Sequence, residues 1–101
     1  MRMMRMVGQD LQRRERRHKL QIYHDILSAI REEAMTEDGA KPTRIQHLAN
    51  MSYDKLSRYL DELEAKQMIN KANILSLTEH GHEFLREYLK IKELIERMGL
   101  E

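Results

Sequence analysis

The chain contains no cysteine and no tryptophan, and its 101 residues include only four tyrosines, one phenylalanine and one proline. The absence of cysteine excludes disulfide bonds and thiolate metal sites. An aromatic content of 5% beside 35% charged residues is unusual for a β-sandwich and typical of a helical domain with a modest core and a strongly solvated surface. At this length we expect one small domain, mainly α-helical, with short appendages.

Long apolar runs and enzyme motifs are also missing. No stretch approaches the roughly 18 apolar residues of a membrane span, and the apolar residues at 3–7 are too few and too interrupted for a signal peptide. We therefore expect a cytoplasmic protein with no membrane partner.

There is no phosphate-binding loop, no Ser or Cys nucleophile motif and no pair of carboxylates with a plausible cleft. An enzyme is not expected, and neither is a cofactor or a small-molecule ligand.

Charge is distributed unevenly along the chain. Residues 1–31 carry a net charge of +5 and the remainder −4, so that the whole chain has +1. Residues 1–17 form a basic N-terminal arm, for which two interpretations stay open. It is either a helical arm that follows a nucleic-acid backbone or a solvated extension of the first helix.

Residues 18–77 are expected to form the main domain, which begins with an amphipathic helix. Apolar residues recur at spacings of three and four up to about Met35, as on the buried face of a helix. Thr36, Asp38 and Gly39 then stop the helix. The apolar stripe comprises Leu20, Tyr23, Ile26, Leu27, Ile30 and Ala34.

A second, shorter helix is predicted over residues 43–49. Thr43 and Gln46 have the spacing of a capping box, so Thr43 is expected to cap this helix. Pro42 disfavours a helical conformation at Lys41 and therefore marks the boundary with the preceding loop.

The next segment, Asn50-Met51-Ser52, predicts a tight turn into a third helix over residues 52–66. Asn tolerates the left-handed conformation that ends a helix, and Ser is a favoured cap for the helix that follows. The outer side of the third helix is small, polar and basic, which is the shape that enters a DNA major groove. A corner of two helices with a solvated face has the same pattern. The inner side is apolar at Leu56, Tyr59, Leu60 and Leu63.

Two short apolar stretches, Met68 to Lys71 and Ile74 to Leu77, are separated by Ala72-Asn73. This pattern predicts a two-stranded hairpin in which Asn73 supplies a positive φ. Such a hairpin would form a small wing near residues 70–74.

Residues 78–101 are expected to form a long last helix, with Thr78 as its cap and Gly99 as its end. Its apolar residues step by four and three, which is a heptad seam flanked by charged residues. The seam comprises Phe84, Tyr88, Ile91, Ile95 and Met98, widened by Leu85 and Leu94.

A core of this size covers only the first turns of the last helix. Burying one of its later apolar side chains is worth roughly 1.5–3 kcal/mol when complete, so these residues are expected to find a partner. The simplest partner is the same helix of a second chain, and the alternative is a monomer whose helix folds back, because fewer than three heptads is short for a coiled coil. The expected homodimer interface comprises Phe84, Tyr88, Ile91, Leu94, Ile95 and Met98.

The order of these elements, and several short motifs, resemble the archaeal 10a-type chromatin proteins and their winged helix-turn-helix relatives. The similarity covers about residues 18–98. It is carried by Thr43-Arg44-Ile45, Ala49-Asn50-Met51-Ser52-Tyr53, Leu56, Tyr59-Leu60, Leu63, Met68-Ile69, Leu77-Thr78-Glu79, Gly81 and Phe84-Leu85.

The resemblance implies a sequence-tolerant or weakly specific DNA-binding protein that dimerises through an antiparallel coiled coil of its last helix. It carries recognition-helix contacts over to Ser52, Tyr53, Lys55, Ser57 and Arg58, and wing contacts to Lys71 and Asn73. The chain departs from the family pattern at Gln67, where relatives tend to have glycine, and at His80 and His82, which replace residues that are often basic.

Residue chemistry leads to a similar set of DNA contacts. Basic side chains at Arg44, Lys55 and Arg58 would neutralise phosphates or reach guanine edges. Hydroxyl and amide side chains at Gln46, Ser52 and Ser57 would hydrogen-bond the DNA backbone, and Tyr53 would either stack on it or cover the turn.

Metal binding is not expected, because His80 and His82 stand two residues apart on a helix and point about 200° away from each other. Two functions remain. The first is a DNA-binding transcriptional regulator or nucleoid-associated protein, and the second is a winged-helix module that binds another protein and assembles through its last helix.

Overall fold

The computed structural model describes residues 17–100, in which it has four helices and one antiparallel hairpin of two strands. The expected mainly helical architecture, with a small hairpin and a long last helix, is confirmed. Most of the basic arm, residues 1–16, lies outside the described residues. The elements in chain order are α1 (Lys19–Glu33), α2 (Pro42–Ala49), α3 (Tyr53–Ala65), β1 (Ile69–Asn70), β2 (Ser76–Leu77) and α4 (Glu79–Arg97).

Helix α1 supplies the largest share of the core. Its buried face is centred on Ile26 and Ile30, both 0% exposed. The predicted stripe is confirmed except at its ends. Leu20 is 45% exposed, because at about 100° per residue it lies roughly 100° away from the centre of the buried face. Ala34 follows the last residue of the helix and is exposed.

Helix α2 begins one residue before the predicted range and its N-cap residue lies two residues before Thr43, so the prediction that Thr43 caps it is wrong. Lys41 is the N-cap residue and makes no side-chain cap, and Pro42 occupies the first helical position. Proline suits this position because its fixed φ matches the helix and its missing N–H would have no partner there. Lys41 is extended, with φ −102° and ψ 144°, which confirms the boundary predicted from Pro42.

The turn between α2 and α3 has the predicted conformation. Asn50 is left-handed, with φ 58° and ψ 57°, and the Ser52 hydroxyl accepts a hydrogen bond from the backbone N–H of Lys55 at 3.1 Å. Helix α3 then buries Leu56, Leu60 and Leu63 in the core, and Tyr59 packs at the edge of this core.

The β1–β2 hairpin forms the wing (residues 69–77), and it is shorter than the sequence indicates. Its register sets Ile69 opposite Leu77. Leu75 leaves the hairpin, because its N–H donates instead to the carbonyl of Ala40 at 2.8 Å in an isolated antiparallel bridge. Leu75 is 2% exposed, so burial of this side chain favours the bridge over continued pairing with β1.

This route changes the turn of the wing. The predicted positive φ at Asn73 is wrong, because within residues 17–100 the non-glycine residues with positive φ are Asn50 and Gln67. Gln67 has φ 62° and stands where the resemblance implies glycine. The left-handed residue therefore lies before β1, where the chain leaves α3, and not at the tip of the wing.

The start of α4 is fixed to the wing by its cap residue. The Thr78 hydroxyl accepts from the N–H of Gly81 at 3.1 Å and donates to the carbonyl of Gln67 at 2.6 Å. The backbone N–H of Thr78 donates to the carbonyl of Met68 at 3.0 Å. A Cβ added to Gly81 would overlap that same Met68 carbonyl. The absence of a side chain at Gly81 thus lets α4 lie directly on the chain that enters β1.

An aromatic cluster joins α1, α3 and α4. The ring of Tyr23 makes edge contacts with Tyr59 and Phe84, at centroid distances of 6.2 and 6.4 Å. Its hydroxyl donates to a carboxylate oxygen of Glu62 at 2.7 Å. Burial, and secondly this hydrogen bond, raises the pKa of Tyr23 to about 12. The same hydrogen bond lowers the pKa of Glu62.

The close approach at Gly81 predicts that Gly81→Ala destabilises the fold. The gain in helix propensity, about 1 kcal/mol, is smaller than the cost of forcing apart α4 and the Met68 backbone, so we expect a net loss of about 2 kcal/mol. The free energy of unfolding, measured by denaturant titration, provides the test. His82→Ala is the control, because this exposed neighbour lies on the same helix and should change stability by less than about 0.5 kcal/mol. Equal stability of the two variants would contradict the steric role of Gly81.

The raised pKa of Tyr23 predicts a loss of stability in alkali. The folded protein holds the phenolic proton more tightly than the unfolded chain. This contribution is therefore complete below the ordinary pKa of 10.0 and is lost as the pH rises towards about 12.

We expect the free energy of unfolding to fall less over this range in Tyr23→Phe than in the unmodified protein. At neutral pH, the lost hydrogen bond should cost about 1 kcal/mol. Tyr53→Phe is the matched control, because the exposed Tyr53 hydroxyl has no hydrogen-bond partner within residues 17–100. If all three proteins lose stability equally in alkali, the link between Tyr23 and stability is wrong.

Candidate nucleic-acid interface

The first half of α3 presents two basic side chains that are not engaged in the fold. Lys55 is half-buried and Arg58 is exposed, and within the described chain neither has an ion-pair partner. Tyr53, 50% exposed, opens the same helix. Ser57 is half-buried, and the Ser52 hydroxyl is already the acceptor of the cap. Five of the predicted DNA contacts are therefore brought together at one end of α3.

The outer face of α3 carries acidic as well as basic groups. At about 100° per residue, Asp54, Arg58 and Asp61 lie opposite the buried leucines. Asp61 and Glu64 make the second half of the helix acidic, while Glu62 turns towards α1 and bonds Tyr23. Positive charge on this helix is thus confined to its first half.

The wing supplies one further basic residue, and it is paired. The ammonium of Lys71 donates a hydrogen bond to a carboxylate oxygen of Asp61 and lies 4.0 Å from a carboxylate oxygen of Glu64. The hydrogen bond to Asp61 raises the pKa of Lys71. Asn73 is exposed at the loop of the wing. The predicted wing contacts therefore differ, since Asn73 is accessible whereas Lys71 is held against α3.

Two predicted contact residues lie on α2, where Arg44 is paired through its side chain and Gln46 is engaged through its backbone. The guanidinium of Arg44 lies 3.4 Å from a carboxylate oxygen of Glu33 at the end of α1. Gln46 is half-buried, and its carbonyl accepts from the N–H of Met51 at 3.3 Å in the turn. The structure therefore engages Arg44 at the α1–α2 connection and uses the Gln46 backbone to close the turn.

Arg17 is a structural residue that the sequence did not reveal. Its guanidinium donates to a carboxylate oxygen of Asp25 at 2.9 Å and to the carbonyl of Ala49 at 3.1 Å. Burial alone would raise the pKa of Asp25, but hydrogen bonds from Arg17, His24 and Gln21 lower it. Arg17 therefore binds beside the end of α2, where the helix leaves its last carbonyls without helical partners. No local pattern links these residues, which are separated by 8 and 32 positions.

The last helix divides into two parts. Phe84 and Tyr88 stack at a centroid distance of 5.7 Å, and Tyr88 also packs on His24 at 5.0 Å. These two members of the heptad seam are therefore engaged within the chain. The four later members remain 37–61% exposed, and together they form the distal stripe: Ile91, Leu94, Ile95 and Met98.

Two further sequence features are the histidines at the start of α4 and the apolar character of the helices. His80 faces Glu83 at 3.6 Å, and within residues 17–100 no group of three or more His, Asp or Glu side chains is arranged to hold a metal ion. In the same range, none of the helices has the length and apolar character needed to cross a membrane.

Comparisons with known proteins agree with this architecture. Residues 16–96, which are most of the chain, match the family model described as winged helix-turn-helix. A search of curated proteins found no match.

Proposed function

Because the chain belongs to the winged helix-turn-helix family, we propose that it binds double-stranded DNA with the first half of α3 in the major groove. The observation that carries this proposal is a pair of cations, Lys55 and Arg58, that have no ion-pair partner within residues 17–100 and lie in the first half of that helix. In helix-turn-helix complexes the first residues of the recognition helix contact the base edges. The wing would lie beside the groove with Asn73 towards the backbone.

Each side chain would have a distinct role in such a complex. Lys55 and Arg58 would neutralise phosphates or reach guanine edges, and Tyr53 would lie along the sugar-phosphate backbone. Ser57 and the Ser52 hydroxyl, which can still donate its proton, would hydrogen-bond phosphate oxygens. Arg44 and Gln46 would contribute only if DNA reached the start of α2.

Modest affinity follows from the charges. Few cations on the DNA-facing side are free, and Asp54 and Asp61 stand among them, so the number of phosphate contacts is small. This supports a transcriptional regulator or nucleoid-associated protein of the kind implied by the resemblance to the archaeal 10a-type chromatin proteins. A location at the nucleoid would follow from that function.

We also propose that the protein is a homodimer joined through the distal stripe. Four apolar side chains in succession on one side of α4 leave an exposed surface that a second copy of the same helix would cover. Phe84 and Tyr88 would border this interface from within their own chain. The antiparallel sense rests on the family resemblance, and it would hold the two DNA-binding heads apart.

One observation favours the second candidate function, a module that binds another protein. The acidic residues on α3 outnumber its basic ones, which is unusual for a surface that only meets phosphate. A basic protein partner would suit the second half of this helix.

The DNA hypothesis predicts that replacing both Lys55 and Arg58 with alanine lowers affinity for duplex DNA about tenfold or more. The slope of log affinity against log salt should flatten by about two, because two phosphate contacts are lost. Fluorescence anisotropy on specific and random duplexes over a salt series would measure both effects. The charge-matched control replaces Arg86 and Lys90 of α4 with alanine and should leave binding nearly unchanged. If the unmodified protein fails to bind duplex DNA at low salt, the hypothesis is wrong and the protein-partner alternative is favoured.

The dimer hypothesis predicts that Ile91→Asp combined with Ile95→Asp yields a monomer. Two carboxylates at the centre of the distal stripe would have to be buried without partners, which costs more than the remaining apolar contacts return. Sedimentation equilibrium at tens of micromolar would show the change in mass. Lys90→Asp is the control, because it alters the net charge equally at an exposed position of α4 and should leave the dimer intact. A monomeric unmodified protein under these conditions would contradict the proposal.

A further inference from the structure

The ion pair between Lys71 and Asp61 links the wing to α3. Lys71 directly follows β1, and its ammonium crosses to α3 to reach the Asp61 carboxylate, with Glu64 nearby. Tyr53 at the start of α3 is also close enough to act on Lys71 electrostatically. The wing is therefore joined to α3 by a carboxylate anion of the helix that binds a lysine of the wing.

The Asp61 carboxylate occupies a position at which a backbone phosphate could contact the same basic side chains. Asp61 lies on the outer face of α3, and Arg58 precedes it by three residues, so the two side chains are neighbours on that face. Lys71 approaches the same carboxylate from the wing. An anion at this point contacts the wing lysine and has the helix arginine on the same face, and Lys and Arg are side chains that contact backbone phosphates.

Accordingly, we propose that the gap between α3 and the wing is a phosphate-binding subsite, which Asp61 occupies in the free protein and which a DNA backbone phosphate takes over on binding. The proposal rests on the proposed DNA-binding function and identifies one subsite within it. Asp61 then limits the affinity for DNA, because the ion pair between Asp61 and Lys71 must break before Lys71 can bind the phosphate.

The exposure of the contact makes this exchange feasible. The side chain of Asp61 is 66% exposed and that of Lys71 34% exposed, so water and salt reach the pair. Exposed ion pairs of this kind are weak, and the high density of negative charge along a DNA duplex favours the new partner. The expected effect of the intramolecular contact is therefore a several-fold reduction in affinity and not a block.

A double-mutant cycle separates this role from simple charge repulsion. Asp61→Asn keeps the shape of the side chain but removes the charge, and Lys71→Ala removes its partner. We expect Asp61→Asn alone to tighten duplex binding about three- to tenfold. In the Lys71→Ala background the same substitution should tighten binding less than about twofold, because only the repulsion between Asp61 and DNA remains to be relieved.

Asp54→Asn provides a matched control. Asp54 lies on the same face of α3, and within residues 17–100 it has no ion-pair partner. Its substitution removes an equal charge without releasing a lysine, so its effect on affinity should be the same with Lys71 present or absent. All variants would be compared by anisotropy on one labelled random duplex at several salt concentrations.

The outcomes distinguish the subsite from the function itself. If Asp61→Asn tightens binding equally in both backgrounds, the subsite is refuted while DNA binding stands. If neither the unmodified protein nor Asp61→Asn binds DNA at low salt, the proposed function fails and the subsite fails with it. A measurement without DNA adds a third outcome. NMR titration of the Lys71 side chain should show its pKa falling in Asp61→Asn, and an unchanged pKa would refute the ion pair in solution.

Discussion

The close packing of Gly81 on the carbonyl of Met68 is the constraint on which the arrangement of the domain depends. That carbonyl also accepts the N–H of Thr78, whose hydroxyl in turn bonds the carbonyl of Gln67. Four segments meet here: the end of α3, the start of β1, the end of β2 and the first turn of α4. Because the contacts involve backbone atoms, the relative positions of these segments have little freedom.

This junction sets both of the surfaces from which function is proposed. It turns the wing towards α3, so that Lys71 reaches the acidic half of the recognition helix and leaves Lys55 and Arg58 as the unengaged cations of that helix. It also directs α4 across α1, where Phe84 and Tyr88 join the aromatic cluster. The helix continues past this cluster, and the side chains of its distal stripe remain 37–61% exposed.

The distribution of charge on α3 and the wing limits the number of contacts that this surface could make with phosphates. A recognition helix with positive charge only in its first half, and a wing lysine already paired with a carboxylate, differ from a surface built for maximal phosphate contact. With so few free cations, the proposed DNA complex would have modest affinity and a shallow dependence of affinity on salt concentration. A net charge of only +1 is compatible with the proposed function, since the local field depends on which cations are free.

Elements defined by local chemistry could be predicted from the sequence. Asn50, Ser52, Thr78 and Gly99 were sufficient to mark helix ends, because the φ preference of a residue and the hydrogen bonds of its side chain act over a few positions. Apolar spacing likewise predicted the buried faces of α1 and α3. The start of α2 was missed by one residue because two local signals competed there, and the fixed φ of Pro42 prevailed over the cap at Thr43.

The candidate site was predictable only in part, because sequence patterns report on neighbours a few positions apart and not on contacts between distant segments. The sequence placed Lys55 and Arg58 on the outer face of one helix, whereas the partner of Lys71 lies ten positions away on α3 and could not be inferred from spacing. The bridge from Leu75 to Ala40 and the bonds of Arg17 to Asp25 and Ala49 are also long-range. The sequence by itself determined most of the helix ends and the buried faces of α1 and α3, because these depend on residues a few positions apart. Only the tertiary structure decided which charges are paired and which remain free, because that depends on which segments the packed core brings together.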